Sequence, residues 1–247
     1  MENIFSLSGK KILVTGASSG IGRAVAVQCS KMDAQVIVSG RNIQRLDETL
    51  SQMEGGNHLI AAGDITRKND ICKIVSELPS LDGIVHCAGI GHRKVCKQLE
   101  EVDIDNVMNI NFKAPVMLQT EIQKSKKLSK GASIIFIASI AAESPSYGNA
   151  IYSASKGALV SYANCLGLEL AQRQIRVNVI SPAMVWTDLI LNDSVTKEQL
   201  QEDEKKYPLK RYGQPQDVAN LAVYLLSDAA SWMTISNVKI TGGVIKL

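Results

Sequence analysis

A tyrosine and a lysine near the middle of the chain have the spacing of an acid–base pair. Tyr152 and Lys156 are four residues apart, and Ser139 stands thirteen residues before the tyrosine, after the apolar run 134–138. Positions i and i+4 of a helix share one face. A nearby ammonium favours the phenolate and so lowers a tyrosine pKa that is ordinarily about 10. With a serine hydroxyl to orient an oxygen atom, the pair predicts proton transfer at a substrate oxygen.

A glycine-rich turn near the amino terminus predicts a phosphate site. Residues 15–22 read Thr-Gly-Ala-Ser-Ser-Gly-Ile-Gly, between an apolar strand and an amphipathic helix. Gly16 permits a tight turn, while Gly20 and Gly22 let the backbone approach a pyrophosphate. The helix then offers free N–H groups and the positive end of its dipole. A phosphate-binding turn and a Tyr/Lys pair in one chain together indicate nicotinamide-dependent redox chemistry.

Alternating strands and helices must position these residues. The candidate strands are apolar throughout, as strands covered on both faces are: Lys11–Thr15, Gln35–Ser39, His58–Ala62, Gly83–Cys87, Ala132–Ser139, Arg176–Ser181 and Val238–Thr241. Helical patterns lie between them at Ile21–Met32, Ile43–Met53, Lys68–Leu78, Asp103–Lys127, Tyr152–Gln172 and Pro215–Leu226. This order predicts an α/β fold: one Rossmann-like domain over residues 1–247, with a doubly wound parallel sheet of about seven strands and helices on both faces. The polar segment Trp186–Gly213 interrupts the alternation and is expected to form a substrate-side flap.

Composition narrows the class of protein. The chain has 247 residues, with 27 Lys and Arg against 24 Asp and Glu, a balance too even to indicate a nucleic-acid partner. Its longest apolar stretch, Ala132–Ala142, is too short to span a bilayer, and residues 1–9 lack a signal-peptide pattern. The five cysteines form no Cys-x-x-Cys motif and are expected to be buried, in a reducing compartment. The three histidines lack metal-ligand spacing. We therefore expect a cytoplasmic protein that binds no metal, membrane or nucleic acid.

From Lys10 to its carboxyl terminus the chain resembles the short-chain dehydrogenase/reductase family, and most of all its 3-oxoacyl-[acyl-carrier-protein] reductases. The resemblance rests on the glycine turn, on the Ser139, Tyr152 and Lys156 set, and on the segment 208–219 before the last helix. It implies an enzyme that interconverts a ketone and a secondary alcohol, with Lys156 also bonded to the nicotinamide ribose. A fourth catalytic residue is implied, an asparagine that holds a water between Lys156 and solvent. Asn111 matches that motif better than Asn109.

The expected cofactor residues follow from these matches. They are Gly16, Ser18, Ser19, Gly20, Ile21, Gly22, Arg41, Asn42, Asp64, Ile65, Cys87, Ala88, Gly89, Tyr152, Lys156, Pro182, Val185 and Thr187. Relatives that use NAD carry an aspartate where this chain has Gly40, and Arg41 follows. A missing carboxylate and an added guanidinium predict NADP(H). Arg23 is either a further phosphate ligand or a solvated helix residue.

Two segments depart from the family pattern. His86 and Cys87 replace an asparagine pair, so the hydrogen bonds of those asparagines must come from elsewhere. His86 itself is expected to be a structural residue at a strand end. Ala183 replaces the glycine that usually follows Pro182, which is expected to reshape the floor of the pocket.

The sequence leaves the substrate open. The expected substrate residues are Ser139, Ile140, Ala141, Tyr152, Ala183 and Trp186, with Ser144 and Pro145 as further pocket candidates. They bring no charge, which favours a neutral ketone, alcohol, sugar derivative or acyl chain over a free anion. The basic residues Lys124, Lys126, Lys127 and Lys130, with Arg173 and Arg176, either dock an acidic acyl carrier protein or form a solvated helix end.

Two further alternatives concern partners and activity. The helical segments Asp103–Lys127 and Tyr152–Gln172 carry more apolar residues than one sheet face needs, which predicts a homo-oligomer, either a dimer or a tetramer. Besides a 3-oxoacyl reductase, the residues fit a reductase or dehydrogenase of a sugar or another small alcohol. A sensor or scaffold that binds NADP(H) without turnover is the third reading, and the intact Tyr152 and Lys156 count against it.

Overall fold

A parallel sheet of seven strands organises the computed structural model, which describes residues 3–144, 146–191 and 196–244. The strands are β1 (Lys11–Thr15), β2 (Gln35–Gly40), β3 (Leu59–Ala62), β4 (Leu81–His86), β5 (Leu128–Ile137), β6 (Arg176–Pro182) and β7 (Ser236–Ile240). Their order is β3-β2-β1-β4-β5-β6-β7, and each pairs in parallel with its neighbours. The order reverses between β1 and β4, where open α/β sheets bind ligands beyond their carboxyl ends. The predicted fold class is confirmed.

Helices cover both faces of this sheet. They are α1 (Gly20–Lys31), α2 (Ile43–Leu50), α3 (Lys68–Glu77), α4 (Glu101–Met108), α5 (Ala114–Lys124), α6 (Ala150–Leu170), α7 (Asp188–Leu191), α8 (Lys197–Glu204) and α9 (Pro215–Leu226). Within β1, Leu13 faces the core under α3, α5 and α6, while Ile12 and Val14 face the core under α1 and α9. Side chains of a strand alternate between faces, so a sheet with two buried faces needs the apolar runs seen in the sequence.

The predicted helix Asp103–Lys127 is interrupted in the structure. Between α4 and α5 the backbone forms one π-helical turn, Asn109–Lys113. Pro115, at the start of α5, has no N–H to donate to the carbonyl of Asn111, and its ring crowds that carbonyl. Turns of this kind are frequent at functional sites, and this one carries Asn111.

The segment predicted as a flap has helical structure and an apolar cluster of its own. It contains α7 and α8, and residues 192–195 lie outside the described part of the chain. Tyr207 and Tyr212 are buried with Ile190 and Leu200. At its base Val185 pairs with Gly213, where Trp186 N–H donates to the Gly213 carbonyl at 2.9 Å. The flap is therefore anchored at both ends to the carboxyl edge of the sheet.

Other predictions differ in detail from the structure. Strand β4 begins two residues earlier than predicted and ends at His86, and β5 begins at Leu128 instead of Ala132. Burial of all five cysteines is wrong, because Cys72, Cys96 and Cys165 are exposed. Among the described residues, no helix has both the length and the apolar character needed to cross a bilayer.

Candidate active site

A cleft of about 340 Å³ opens at the carboxyl ends of β1, β2 and β4. Most of the expected cofactor residues line it, namely Gly16, Ser18, Ser19, Gly20, Ile21, Gly22, Arg41, Asp64, Ile65, Cys87, Ala88, Gly89, Tyr152, Lys156 and Thr187. Pro182 and Val185 line an adjoining cavity instead. The sheet therefore brings together residues that are widely separated in sequence.

The glycine turn at the start of α1 has no space for side chains. Gly16 has a φ of 64°, and a Cβ placed on it would lie 2.8 Å from the Ala88 nitrogen. A Cβ on Gly22 would collide with the Gly16 carbonyl. Gly20, with a φ of 52°, lies under the methyl group of Thr187 at the base of the flap. A bare backbone at a helix amino terminus is the chemistry that a pyrophosphate requires, so these residues fit a dinucleotide.

Two arginines line the end of the cleft beside β2. Arg41 is there as expected, and Arg45 of α2 lies on the same wall, a position the sequence did not single out. Asn42 does not line either cavity, because its Oδ1 caps α2 by accepting from the Arg45 N–H at 3.0 Å. Arg23 is structural as well, since it donates to the Ser18 carbonyl at 2.7 Å. The basic end of the cleft is therefore formed by Arg41 and Arg45.

The opposite wall is formed by the loops after β3 and β4. Desolvation raises the pKa of Asp64, but hydrogen bonds from Thr66 and the charges of Arg41 and a neighbouring arginine outweigh it, so its pKa is lowered overall. After β4, the backbone N–H groups of Cys87 and Ala88 reach the Thr15 hydroxyl at 3.2 and 3.4 Å. Thr15 thus joins the end of β1 to the loop after β4.

His86 is buried between the sheet and α5. Its ring stacks on Phe136 at 4.6 Å, and its Nε2 lies 3.1 Å from the Gln119 Oε1. Burial lowers the pKa of His86 to about 4, with the Gln119 hydrogen bond opposing the shift. The structural interpretation of His86 agrees with this position. No group of three or more His, Cys, Asp or Glu suited to a metal occurs among the described residues.

Tyr152 and Lys156 lie on one face of α6, as their spacing predicts. The Lys156 side chain is almost fully buried and its Nζ donates to the Ile137 carbonyl at 2.9 Å. Burial lowers the pKa of Lys156 to about 8, against the smaller opposing effect of Cys87. Burial raises the pKa of Tyr152, and a hydrogen bond with Ser139 opposes the rise. The expected lowering of the Tyr152 pKa by the ammonium is not seen, and burial has the largest effect on this pKa. The Lys156 Nζ lies 5.8 Å from the centre of the Tyr152 ring.

Ser139 follows the end of β5 and begins a short 3₁₀ turn. Its Oγ accepts from the Ala141 N–H at 3.2 Å. A hydroxyl can accept one hydrogen bond and donate another, so this cap fixes the oxygen in place and leaves its proton for a partner. The side chain lines the adjoining cavity together with Tyr152.

Asn111 is the asparagine that the structure brings to this site. It is fully buried. A Cβ placed on Gly89 would lie 3.2 Å from the Asn111 Oδ1 and 3.4 Å from the Lys156 Nζ, so both side chains approach Gly89. Asn109, the other candidate, lines a surface groove on α4 instead. The choice of Asn111 over Asn109 agrees with this geometry.

The adjoining cavity, of about 990 Å³, is where a substrate would reach Tyr152. Ser139, Ala141 and Ala183 line it as expected. Ile140 does not, because it is buried in the 3₁₀ turn, and neither does Trp186, whose Nε1 donates to Glu204 inside the flap at 2.9 Å. Pro145 lies outside the described residues.

The wall also carries residues that the sequence did not indicate: His92, Arg93, Asn149, Met184, Asp188 and Leu189. This wall therefore carries charge that the pocket residues expected from the sequence do not bring. His92 and Arg93 belong to a loop with no recognisable motif, and folding alone brings that loop to the cavity.

Known proteins are similar to this chain over almost its whole length. A family model described as Enoyl-(Acyl carrier protein) reductase matches residues 16–245. The 3-oxoacyl-[acyl-carrier-protein] reductase FabG of Rickettsia felis is 35% identical over 242 residues, which cover 98% of this chain and 99% of that protein. The NAD-dependent glycerol dehydrogenase of Listeria innocua is 34% identical over 244 residues, covering 97% and 95%.

A solved structure has the same fold over almost its whole length. It is a putative NAD(P)-dependent gluconate 5-dehydrogenase from Beutenbergia cavernae with bound NADP at low occupancy. Its TM-score is 0.88 at 29% identity, with 98% of each chain covered. Together with the family match, these findings show that the chain belongs to the short-chain dehydrogenase/reductase family of oxidoreductases.

Proposed function

We propose that the chain is an NADP(H)-dependent oxidoreductase that interconverts a ketone and a secondary alcohol, with Tyr152 as its acid–base group. One observation carries the proposal: Tyr152 lines both the dinucleotide cleft and the larger cavity beside it. A substrate in the larger cavity and a nicotinamide in the cleft would meet beside its hydroxyl. That is the arrangement that hydride transfer coupled to proton transfer requires.

The residues around Tyr152 have complementary roles in this proposal. The nicotinamide, when bound, donates or accepts the hydride. In reduction the Tyr152 hydroxyl gives its proton to the carbonyl oxygen, and the Ser139 hydroxyl donates a hydrogen bond to the same atom. A Tyr152 pKa raised by burial keeps the proton in place at neutral pH. Lys156 holds the ribose and, as an ammonium, favours release of the proton. Asn111 holds the loop after β4 beside both.

The preference for NADP(H) is supported by charge at the adenosine end of the cleft. Arg41 lines this end of the cleft, Arg45 lies beside it with an ion pair to Asp188 at 3.4 Å, and Gly40 brings no carboxylate to repel a 2′-phosphate. The solved relative with bound NADP favours the same choice. The glycerol dehydrogenase that uses NAD shows that relatives of similar identity differ in this respect.

For the substrate we propose first a 3-oxoacyl group, as in the reductase of Rickettsia felis. The carrier-protein surface would be the exposed Lys124, Lys126 and Lys130. The other basic residues are occupied: the Lys127 Nζ donates to the Leu78 carbonyl at 2.5 Å, and Arg173 and Arg176 also donate to backbone carbonyls. A polyol or sugar acid is the second candidate, since relatives named for glycerol and gluconate share the fold.

The lysines proposed for the carrier protein lie where β5 begins, at the ends of the strands opposite the cleft.

A homo-oligomer is supported by exposed apolar side chains on the helices, among them Val102 of α4, Met117 of α5 and Leu168 of α6. Size-exclusion chromatography with light scattering tests it, and a monomer would contradict it.

The activity is tested by NADPH oxidation at neutral pH against acetoacetyl-coenzyme A, simple ketones and ketosugars. Turnover of at least one compound, lost in Tyr152→Phe, is the expected result. Turnover that persists in Tyr152→Phe would contradict the role of the tyrosine. NADPH binding without oxidation of any compound would favour the sensor or scaffold alternative.

A further inference from the structure

The start of the flap forms a wall that the dinucleotide cleft and the larger cavity share. Thr187, Asp188 and Leu189 line both of them. These residues follow the base of the flap, where Val185 pairs with Gly213, and Asp188 is the first residue of α7. Any movement of this short segment would therefore change the access to both cavities.

Apolar contacts hold this segment against two elements of the cleft. A Cβ placed on Gly20, at the start of α1, would lie 3.3 Å from the methyl group of Thr187. A Cβ placed on Gly91, in the loop after β4, would lie 3.5 Å from the Leu189 Cδ2. The segment therefore reaches from the glycine turn that fits a pyrophosphate to the loop on the substrate side.

An ion pair joins the same segment to a third element, α2. The Arg45 Nη2 donates to the Asp188 Oδ2 at 3.4 Å. Arg45 also lines both cavities, so the pair connects two walls of the cleft. The two side chains are 50% and 56% exposed, and exposed ion pairs are weak. This contact can therefore break and form again without disturbing the core beneath it.

We infer that the Arg45–Asp188 ion pair is a latch that holds the flap over a bound dinucleotide and slows its release. The two residues line the cleft from different elements, so a flap that lifts off the cofactor has to break their contact. Flap opening and the release of a product set the turnover rate of many enzymes. The inference rests on the dinucleotide binding in the proposed function, and it does not depend on the role of Tyr152 or on the substrate.

Stopped-flow measurement of NADPH release tests the latch without turnover. The full chain is loaded with NADPH, an excess of NADP⁺ displaces it, and the change in NADPH fluorescence gives the rate constant for release, koff. Asp188→Asn keeps the size of the side chain and removes its charge. We expect koff to rise about two- to fivefold in this variant, the range that an exposed ion pair supports.

The direction of the change separates a latch from a direct effect of charge on the cofactor. If the Asp188 carboxylate only repelled the phosphates, its neutralisation would strengthen binding and koff would fall. Glu48→Gln is the matched control, because Glu48 is an exposed residue of α2 that pairs with Arg23 at 3.0 Å. Its koff should equal that of the wild type.

A second variant tests whether the two residues act as a pair. Arg45→Gln should also raise koff, and the double variant Arg45→Gln/Asp188→Asn should release NADPH no faster than the faster single variant. A koff that is unchanged or lower in Asp188→Asn would overturn the inference, and so would single effects that multiply in the double variant.

Oxidation of NADPH by the wild-type chain tests the proposed function separately. A chain that reduces a ketone but shows no faster release in Asp188→Asn contradicts the inference alone. A chain whose NADPH release responds as expected, but which never oxidises NADPH, contradicts the proposed function alone.

Discussion

Asn111 binds both backbone polar groups of Ile90. Its Oδ1 accepts from the Ile90 N–H at 2.8 Å, and its Nδ2 donates to the Ile90 carbonyl at 3.0 Å. The same Nδ2 lies 3.1 Å from the Ser155 hydroxyl, on the helix that carries Tyr152 and Lys156. Ile90 lines both cavities. The π turn, the loop after β4 and α6 are therefore joined through one side chain.

Replacing Asn111 with leucine should destabilise the fold, because the part-buried Ile90 N–H and carbonyl would lose their hydrogen-bond partner. We expect the free energy of unfolding to fall by about 2–4 kcal/mol, measured by urea denaturation. Asn109→Leu is the matched control, since Asn109 lies two residues away on the same turn and is only half-buried. Equal losses in the two variants would contradict the specific role given to Asn111.

Lys156 should make stability depend on pH in the alkaline range. Its pKa is lowered from 10.5 to about 8 by burial. Between these values the unfolded chain binds more protons than the folded chain, so the contribution of Lys156 to stability rises with pH across this interval. Lys156→Met should remove that contribution, and at pH 7 its melting temperature should equal or exceed that of the wild type because a desolvated charge is gone.

Thermal unfolding of wild type and Lys156→Met at pH 7 and pH 10 tests this expectation. The stability of the wild type relative to the variant should increase at the higher pH. A relative stability that decreases instead would show that the lysine gains more from its partners in the fold than it loses by desolvation.

The preference between cofactors should be reversible at Gly40. A Cβ at this position would lie 3.4 Å from Leu46, an ordinary van der Waals distance, so the backbone here tolerates a side chain. In Gly40→Asp the carboxylate would accept from the ribose 2′-hydroxyl of NADH and repel a 2′-phosphate. We expect the ratio of kcat/KM for NADPH over NADH to fall by about 100-fold or more.

Gly40→Asn separates charge from shape in this test, because the amide has nearly the same size as the carboxylate. Its ratio should fall much less. Equal changes in Gly40→Asp and Gly40→Asn would indicate a steric effect, and a wild-type chain that prefers NADH would contradict the assignment of NADP(H).

The parts of the fold that the sequence predicted are those set by local patterns. Apolar strands such as Lys11–Thr15 and the glycine turn after it are specified by neighbouring residues, so β1 and the start of α1 lie where expected. The apolar pattern runs through the π turn and does not predict it. Pro115 is the residue that indicates an interruption of the helix. The spacing of Tyr152 and Lys156 fixed their common face but not their pKa values, which depend on burial.

The rest of the site depends on contacts between distant segments. Arg93 lines the cavity because its neighbour Lys94 bonds to Asp103 and to the Gly148 carbonyl. No local motif predicts that arrangement. Asn42 was assigned to the cofactor from its position, yet it caps α2. Trp186 was assigned to the substrate, yet Glu204 holds it inside the flap.

The most direct test of the account measures NADPH binding and NADPH oxidation side by side in wild type and Tyr152→Phe, with a ketone that the wild type reduces. We expect the dissociation constant for NADPH to stay within about threefold while kcat falls by about 100-fold or more, because proton donation is lost and the cleft is retained. A variant that keeps its kcat would contradict the central claim that Tyr152 supplies the proton.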